Sequence, residues 1–236
     1  MALLTVPDTL PETRRSLHLV LFYAVSLARQ RVDGEVWAVP MPGGFGVLFD
    51  GTTLRVDGVD LVEERAGLER RREAITTLDA AMAFAGVDFD RARGERNDVE
   101  VPEWTDEELA ADGRAAVVLA EWFQLGWEVL GRVLERAGWP ADTERRLWNE
   151  HFDLAIEVGS EADERRAAVG FSPGDAEIPE PYAYVAPWFR DEAAERLVPT
   201  HSFGVAITHS DVADAADPAG EVERFLTQAL ERLGAV

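Results

Sequence analysis

From residue 13 to residue 30 the chain is apolar on nearly every side, which predicts a helix buried all round rather than one with a single apolar stripe. Pro11-Glu12-Thr13 reads as its start, with Glu12 placed well against the N-terminal dipole. The pattern then breaks into short runs at residues 35–39, 45–49, 53–57 and 59–64. Between them stand Pro40-Met41-Pro42-Gly43-Gly44, Asp50-Gly51 and Asp57-Gly58, turn sequences that join strands into an antiparallel meander. Residues 68–85 keep apolar side chains on one face and Glu69, Arg70, Arg71 and Arg72 on the other, predicting a helix. A polar, irregular stretch follows at 87–103. Residues 106–137 read as the longest helix, capped by Thr105 with Glu108 three residues on and stopped at Gly138. Its Trp122, Phe123, Leu125, Val129, Leu130 and Val133 are the side chains expected to cover a sheet. Strands are expected again at 152–158, 166–171, 182–188 and 203–208, and a last helix at 219–233 after Asp217-Pro218.

These elements define an α+β fold: about eight strands in largely antiparallel sheets, packed by four to five helices. The expectation is one domain over 1–236. Each half also reads as helix, four strands, helix, so the chain admits a duplicated unit with halves 1–86 and 105–236 joined by a polar linker at 87–104.

Charge narrows the partners. The formal net charge is −22, from 45 acidic against 23 basic residues, and every basic residue is arginine because lysine is absent. Such a surface repels phosphate backbones and anionic lipid, so neither nucleic acid nor membrane is an expected partner; a small molecule or a protein is, and a homodimer is compatible with both. The absence of cysteine removes disulfides, thiolate metal sites and thiol nucleophiles, and fits a reducing compartment. Arg14-Arg15 before the apolar run 17–28 has the outline of a signal peptide, but the run contains His18 and continues into strand-like sequence. A buried helix in a cytoplasmic protein is the favoured reading.

Candidate chemistry crowds between Trp148 and Trp188. Alternation puts Phe152, Leu154, Ile156 and Val158 on the core face of a strand, and His151, Asp153 and Glu157 on the other. His151 and Asp153 at this spacing offer two ligands to a divalent metal, or a histidine–carboxylate pair; no metal is required. Further donors are Asp175, Glu177, Glu180, His201 and His209. Ser172-Pro173-Gly174-Asp175 is a turn that would present Ser172 and Asp175, and it lacks the Gly-x-Ser-x-Gly elbow of a serine nucleophile. Pro179-Glu180-Pro181 fixes the backbone around a carboxylate, and Tyr182, Tyr184 and Trp188 share a face suited to a binding wall. His151, Asp153, Asp175 and Glu180 are therefore the catalytic candidates, with Glu180 or Asp175 as general base. Ser172, Tyr182, Tyr184 and Trp188 are the ligand-binding candidates. Pro42-Gly43-Gly44-Phe45-Gly46 lacks the following helix, lysine and hydroxyl of a phosphate loop and reads as a hairpin turn.

The Leu17-His18 pair, the Pro-Gly-Gly-Phe-Gly turn, Leu54-Arg55-Val56-Asp57-Gly58, His151-Phe152-Asp153, Ser172-Pro173-Gly174-Asp175 and Pro179-Glu180-Pro181-Tyr182-Ala183-Tyr184-Val185 resemble an uncharacterised group of actinobacterial proteins. In its order of elements the chain is more distantly similar to a larger bacterial family of unknown function with a comparable Phe-Asp-Leu-Ala strand and Gly-Phe-x-Pro-Gly turn. The resemblance implies a bacterial cytoplasmic protein with one α+β unit, and it supplies no catalytic residue. Two functions are expected from all this. One is small-molecule binding around His151, Asp153, Asp175 and Glu180, extending to metal-assisted hydrolysis. The other is a non-enzymatic interaction or regulatory module that uses the acidic surface and the Tyr/Trp face.

Overall fold

Each half of the chain runs helix, five-stranded antiparallel meander, helix in the computed structural model, which describes residues 3–88, 102–137, 144–190 and 196–235. Most of the polar stretch expected at 87–103 lies outside the described residues. Ten strands and five helices are present among those described. Helix α1 is a continuous rod of α-helix Leu10–Val20, π-helix Leu21–Ser26 and α-helix Leu27–Asp33. Strands β1 (Val39–Met41), β2 (Gly44–Phe49), β3 (Thr52–Asp57), β4 (Asp60–Arg65) and β5 (Leu68–Ala74) form one sheet in sequence order. Helices α2 (Leu78–Phe84) and α3 (Gly113–Ala137) follow. The second sheet contains β6 (Arg146–Trp148), β7 (Asp153–Val158), β8 (Ala167–Ser172), β9 (Tyr182–Pro187) and β10 (Val205–Thr208). Helices α4 (His209–Val212) and α5 (Pro218–Leu233) close the chain. No helix among the described residues is long and apolar enough to cross a membrane.

The chain divides into two compact units. The first comprises residues 6–121 and 147–152; the second comprises 1–5, 122–146 and 153–236. In the first unit α1 is buried along Leu17, Leu19, Val20, Leu21 and Phe22, as its all-round apolar pattern requires. Phe45, Val47, Leu54, Val56 and Leu61 form the buried face of the sheet. Asp50-Gly51 and Ala66-Gly67 turn its hairpins with both central residues at positive φ, the geometry that matches strand twist.

Three sequence expectations are corrected here. Residues 68–74 form edge strand β5, not the start of a helix, and every one of them is exposed. The Ala66-Gly67 turn delivers them alongside β4, where Arg71 pairs with Glu63 and Arg72 with Asp57 and Asp60, so tertiary pairing overrides the helix propensity of Leu, Glu and Arg. The helix begins only at α2, where the Thr77 hydroxyl accepts the Ala80 N–H at 3.2 Å. The long helix α3 starts at Gly113, not 106: Asp112 Oδ1 accepts the Arg114 and Ala115 N–H groups, each at 3.0 Å, while the Thr105 hydroxyl caps only a local turn to Glu107. Finally, Phe152 does not extend strand β7. It sits in a turn at φ 55°, which interrupts the alternation drawn through it.

In the second unit Leu154, Ile156, Val169, Phe171, Ala183 and Val185 make a continuous apolar sheet face. Trp122 of α3 packs on Phe171 at 5.2 Å between ring centres, and its indole N–H donates to the Ser172 carbonyl at 3.0 Å. Gly126 is needed one turn on, because a Cβ there would lie 2.6 Å from the Phe171 ring.

Candidate functional site

The opposite face of the second sheet carries most of the polar candidates. Register places Ser172 beside Tyr182, and Gly170 beside Tyr184. Asp153 opens β7 on this face, and contrary to a solvated carboxylate it is buried. Tyr184 crosses the bare backbone of Gly170 to donate its hydroxyl to Asp153 Oδ2. A Cβ at residue 170 would meet the Tyr184 hydroxyl at 2.7 Å, so the glycine clears the path. Burial, reinforced by the neighbouring Asp153 carboxylate, pushes the Tyr184 phenol well above its ordinary value and keeps it a donor. Burial and Asp175 do the same to Tyr182.

Both carboxylate oxygens of Asp175 are engaged. Its Oδ1 accepts the Glu177 N–H at 2.7 Å and the Ile178 N–H at 2.8 Å, and its Oδ2 accepts the Tyr182 hydroxyl at 2.5 Å. Ser172 turns inward, with its hydroxyl accepting the Gly174 N–H at 3.1 Å. Tyr182 and Tyr184, 6.0 Å apart, lie under Phe203, which stacks on Tyr182 at 5.6 Å and carries His201 on its own ring at 5.5 Å. Glu177 ties down the loop above, receiving the Ser202 N–H at 3.0 Å and its hydroxyl at 2.5 Å. Those two bonds hold the Glu177 carboxyl below its ordinary range.

Glu180 has a different task. Its two oxygens accept the Ser210 N–H at 2.8 Å and the Ser210 hydroxyl at 2.7 Å, while the Pro181 carbonyl accepts the His209 N–H at 2.7 Å. The proline-bracketed segment is thus a strap over the start of α4. Trp188 is 48% exposed and has the Arg166 guanidinium 3.9 Å over its ring.

His151 belongs to the first unit, where it is exposed in the turn that contains Phe152. There the buried Phe152 ring stacks on His18 at 5.5 Å, and His18 Nε2–H donates to the Asn149 carbonyl at 2.9 Å. Burial lowers the His18 pKa, so the imidazole stays neutral. Among the described residues no group of three or more His, Cys, Asp or Glu is placed to hold a metal ion.

Asp153, Ser172, Asp175, Tyr182 and Tyr184 therefore come together, but as a packed cluster in which Tyr184 donates to Asp153 and Tyr182 to Asp175. Open space lies elsewhere in the second unit, in a concavity of about 370 Å³ between residues 196–200, the start of β10 and α5. Its floor is Leu197, Val205, Phe225 and Ala229, and its polar groups include Arg196, Gln228 and Arg232. Sequence reasoning passed over these residues. A signal existed: Phe225, Gln228, Ala229 and Arg232 follow the i, i+3, i+4, i+7 spacing of one helix face, a stripe too mixed to be core alone. Comparison with protein-family models, curated proteins and solved structures finds no match for the chain.

Proposed function

We propose that the chain is a non-catalytic small-molecule-binding protein whose ligand occupies the concavity between residues 196–200, β10 and α5. The observation that carries this reading is the concavity itself. Its volume of about 370 Å³ and its apolar floor with a few polar groups at the rim match what ligand sites need. The engagement of Asp175 and Glu180 supports binding over hydrolysis, since each carboxylate is committed to holding local backbone and hydroxyl groups in place. The Tyr–Asp cluster then serves as scaffold, anchoring through Phe203 and Glu177 the loop that walls one side of the concavity.

The test is a saturation-transfer NMR screen of a small-molecule library against the wild type, Phe225→Ala and Glu180→Gln. Hits are expected to vanish in Phe225→Ala and persist in Glu180→Gln. Hits with the reverse dependence, or none at all, overturn the reading. The second reading, a protein-interaction module, is favoured by the exposed Trp188 on an acidic surface. It requires that Trp188→Ala abolish a complex or dimer formed by the full chain.

A further inference from the structure

Ten described residues line the concavity, and none is acidic, in a chain where 45 of 236 residues are Asp or Glu. Two of the ten are arginines. Elsewhere Arg29, Arg55, Arg72, Arg166 and Arg224 each hold a carboxylate. Among the described residues Arg196 and Arg232 hold none, and Arg196 donates to the Leu233 carbonyl at 3.4 Å. The lining of this apolar-floored depression thus carries, among the described residues, two guanidinium groups and no carboxylate.

We infer that this concavity takes a small organic anion, a carboxylate on an apolar body, with Arg196 and Arg232 receiving the carboxylate and Phe225 with Val205 receiving the body. The inference rests on the reading of this concavity as a ligand site. A guanidinium presents a planar fork of donors that matches a carboxylate two-on-two, and such charge-assisted bonds are about twice as strong as neutral ones. Both arginines also lie near the C-terminal end of α5, where cations offset the exposed carbonyls. That use occupies one N–H of Arg196 out of the five a guanidinium carries, leaving the rest of the fork available.

The experiment is calorimetric titration of the full chain with octanoate, with 1-octanol as its uncharged counterpart, and with inorganic phosphate. Octanoate is expected to bind, 1-octanol to bind on the order of tenfold more weakly, and phosphate alone to give no measurable heat. Arg232→Gln and Arg196→Gln each weaken octanoate on the order of tenfold and leave 1-octanol unchanged. Arg232→Lys, which keeps the charge but loses the fork, falls between them and the wild type. Arg224→Gln removes a guanidinium already paired with Glu221 on the same helix and changes nothing. Melting curves of the four variants, all at exposed positions, check that folding is intact. Octanoate binding no tighter than 1-octanol, or indifference to both arginine variants, overturns the anion. Phosphate binding as tightly as octanoate overturns the apolar body. If neutral compounds bind and are lost in Phe225→Ala, the concavity is a ligand site and the anion alone is wrong; if nothing in the screen binds, both readings fail.

Discussion

The two sheets share a strand order and differ in what covers their outward faces. In the first unit Arg55 and Arg72 lie across β3, β4 and β5, their stems over the buried Val62 and their heads among Asp57, Asp60, Glu64 and Glu69. Burial works against ionisation of Asp57, but Arg72 and Arg55 together hold its carboxyl below the ordinary range. In the second unit the equivalent face uses Tyr184 on Asp153, Tyr182 on Asp175, and Phe203 as a lid. Both covers pair polar groups above an apolar sheet. The first does so with its side chains part-exposed to water, where each ion pair contributes little and can exchange partners. The second does so out of water, where removing one donor leaves a desolvated oxygen, so its geometry is fixed. Two sheets of the same strand order thus need not share their chemistry, and the dry face is the one that holds the loop at Ser202 and Phe203 in place.

Breaking the dry face carries the largest expected effect. Tyr184→Phe removes a donor from the buried Asp153 and should destabilise the fold by about 1–3 kcal/mol in urea titration. Gly170→Ala should cost a comparable amount, because its Cβ displaces the Tyr184 hydroxyl from the same carboxylate. A change within experimental error for both variants would mean that the cluster is not desolvated.

An intermediate effect is expected from pH. His18 in the first unit and His209 in the second both have pKa values lowered by burial from 6.5. Between the folded and unfolded values the unfolded chain binds more protons, so stability is full above about pH 6.5 and is lost as pH falls through the window below it. Denaturant midpoints from pH 7.5 down to 5 should decline, and more shallowly in His18→Asn and in His209→Asn. An unchanged slope in both variants would assign the decline to carboxylates. The smallest effect belongs to the wet face. Arg72→Gln should cost less than about 1 kcal/mol, with the loss shrinking as salt rises; a larger, salt-independent loss would erase the contrast between the sheets.

Legibility in the sequence follows the same division. Alternation and turn residues mark β2, β3, β4, β8 and β9 well, because each has one apolar face and ends at glycine, proline or aspartate. β5 escapes, since a strand exposed along its whole length has no buried face to imprint a period of two. Phe152 escapes because a bulky residue at positive φ is dictated by packing against His18 and Phe45 rather than by local preference. The grouping of Tyr182 and Tyr184 on one face, and the placing of Asp153 on the polar face of its own strand, follow from strand periodicity, while Asp175 lies in the turn after β8. That those carboxylates are engaged by Tyr hydroxyls and loop amides does not, because it depends on register across β7, β8 and β9 and on the space at Gly170. The concavity is hidden for the same reason: Arg196 and Arg232 are far apart in sequence, and only the fold brings them to one depression.

The most direct test is an amide chemical-shift map of the full chain titrated with the strongest compound from the library screen. Perturbations are expected at residues 196–206 and along Phe225, Gln228, Ala229 and Arg232, with Asp175, Glu180 and Tyr182 unmoved. A map centred on residues 172–182 would contradict the account, returning the site to the carboxylates and making their hydrogen bonds a resting state that the ligand breaks.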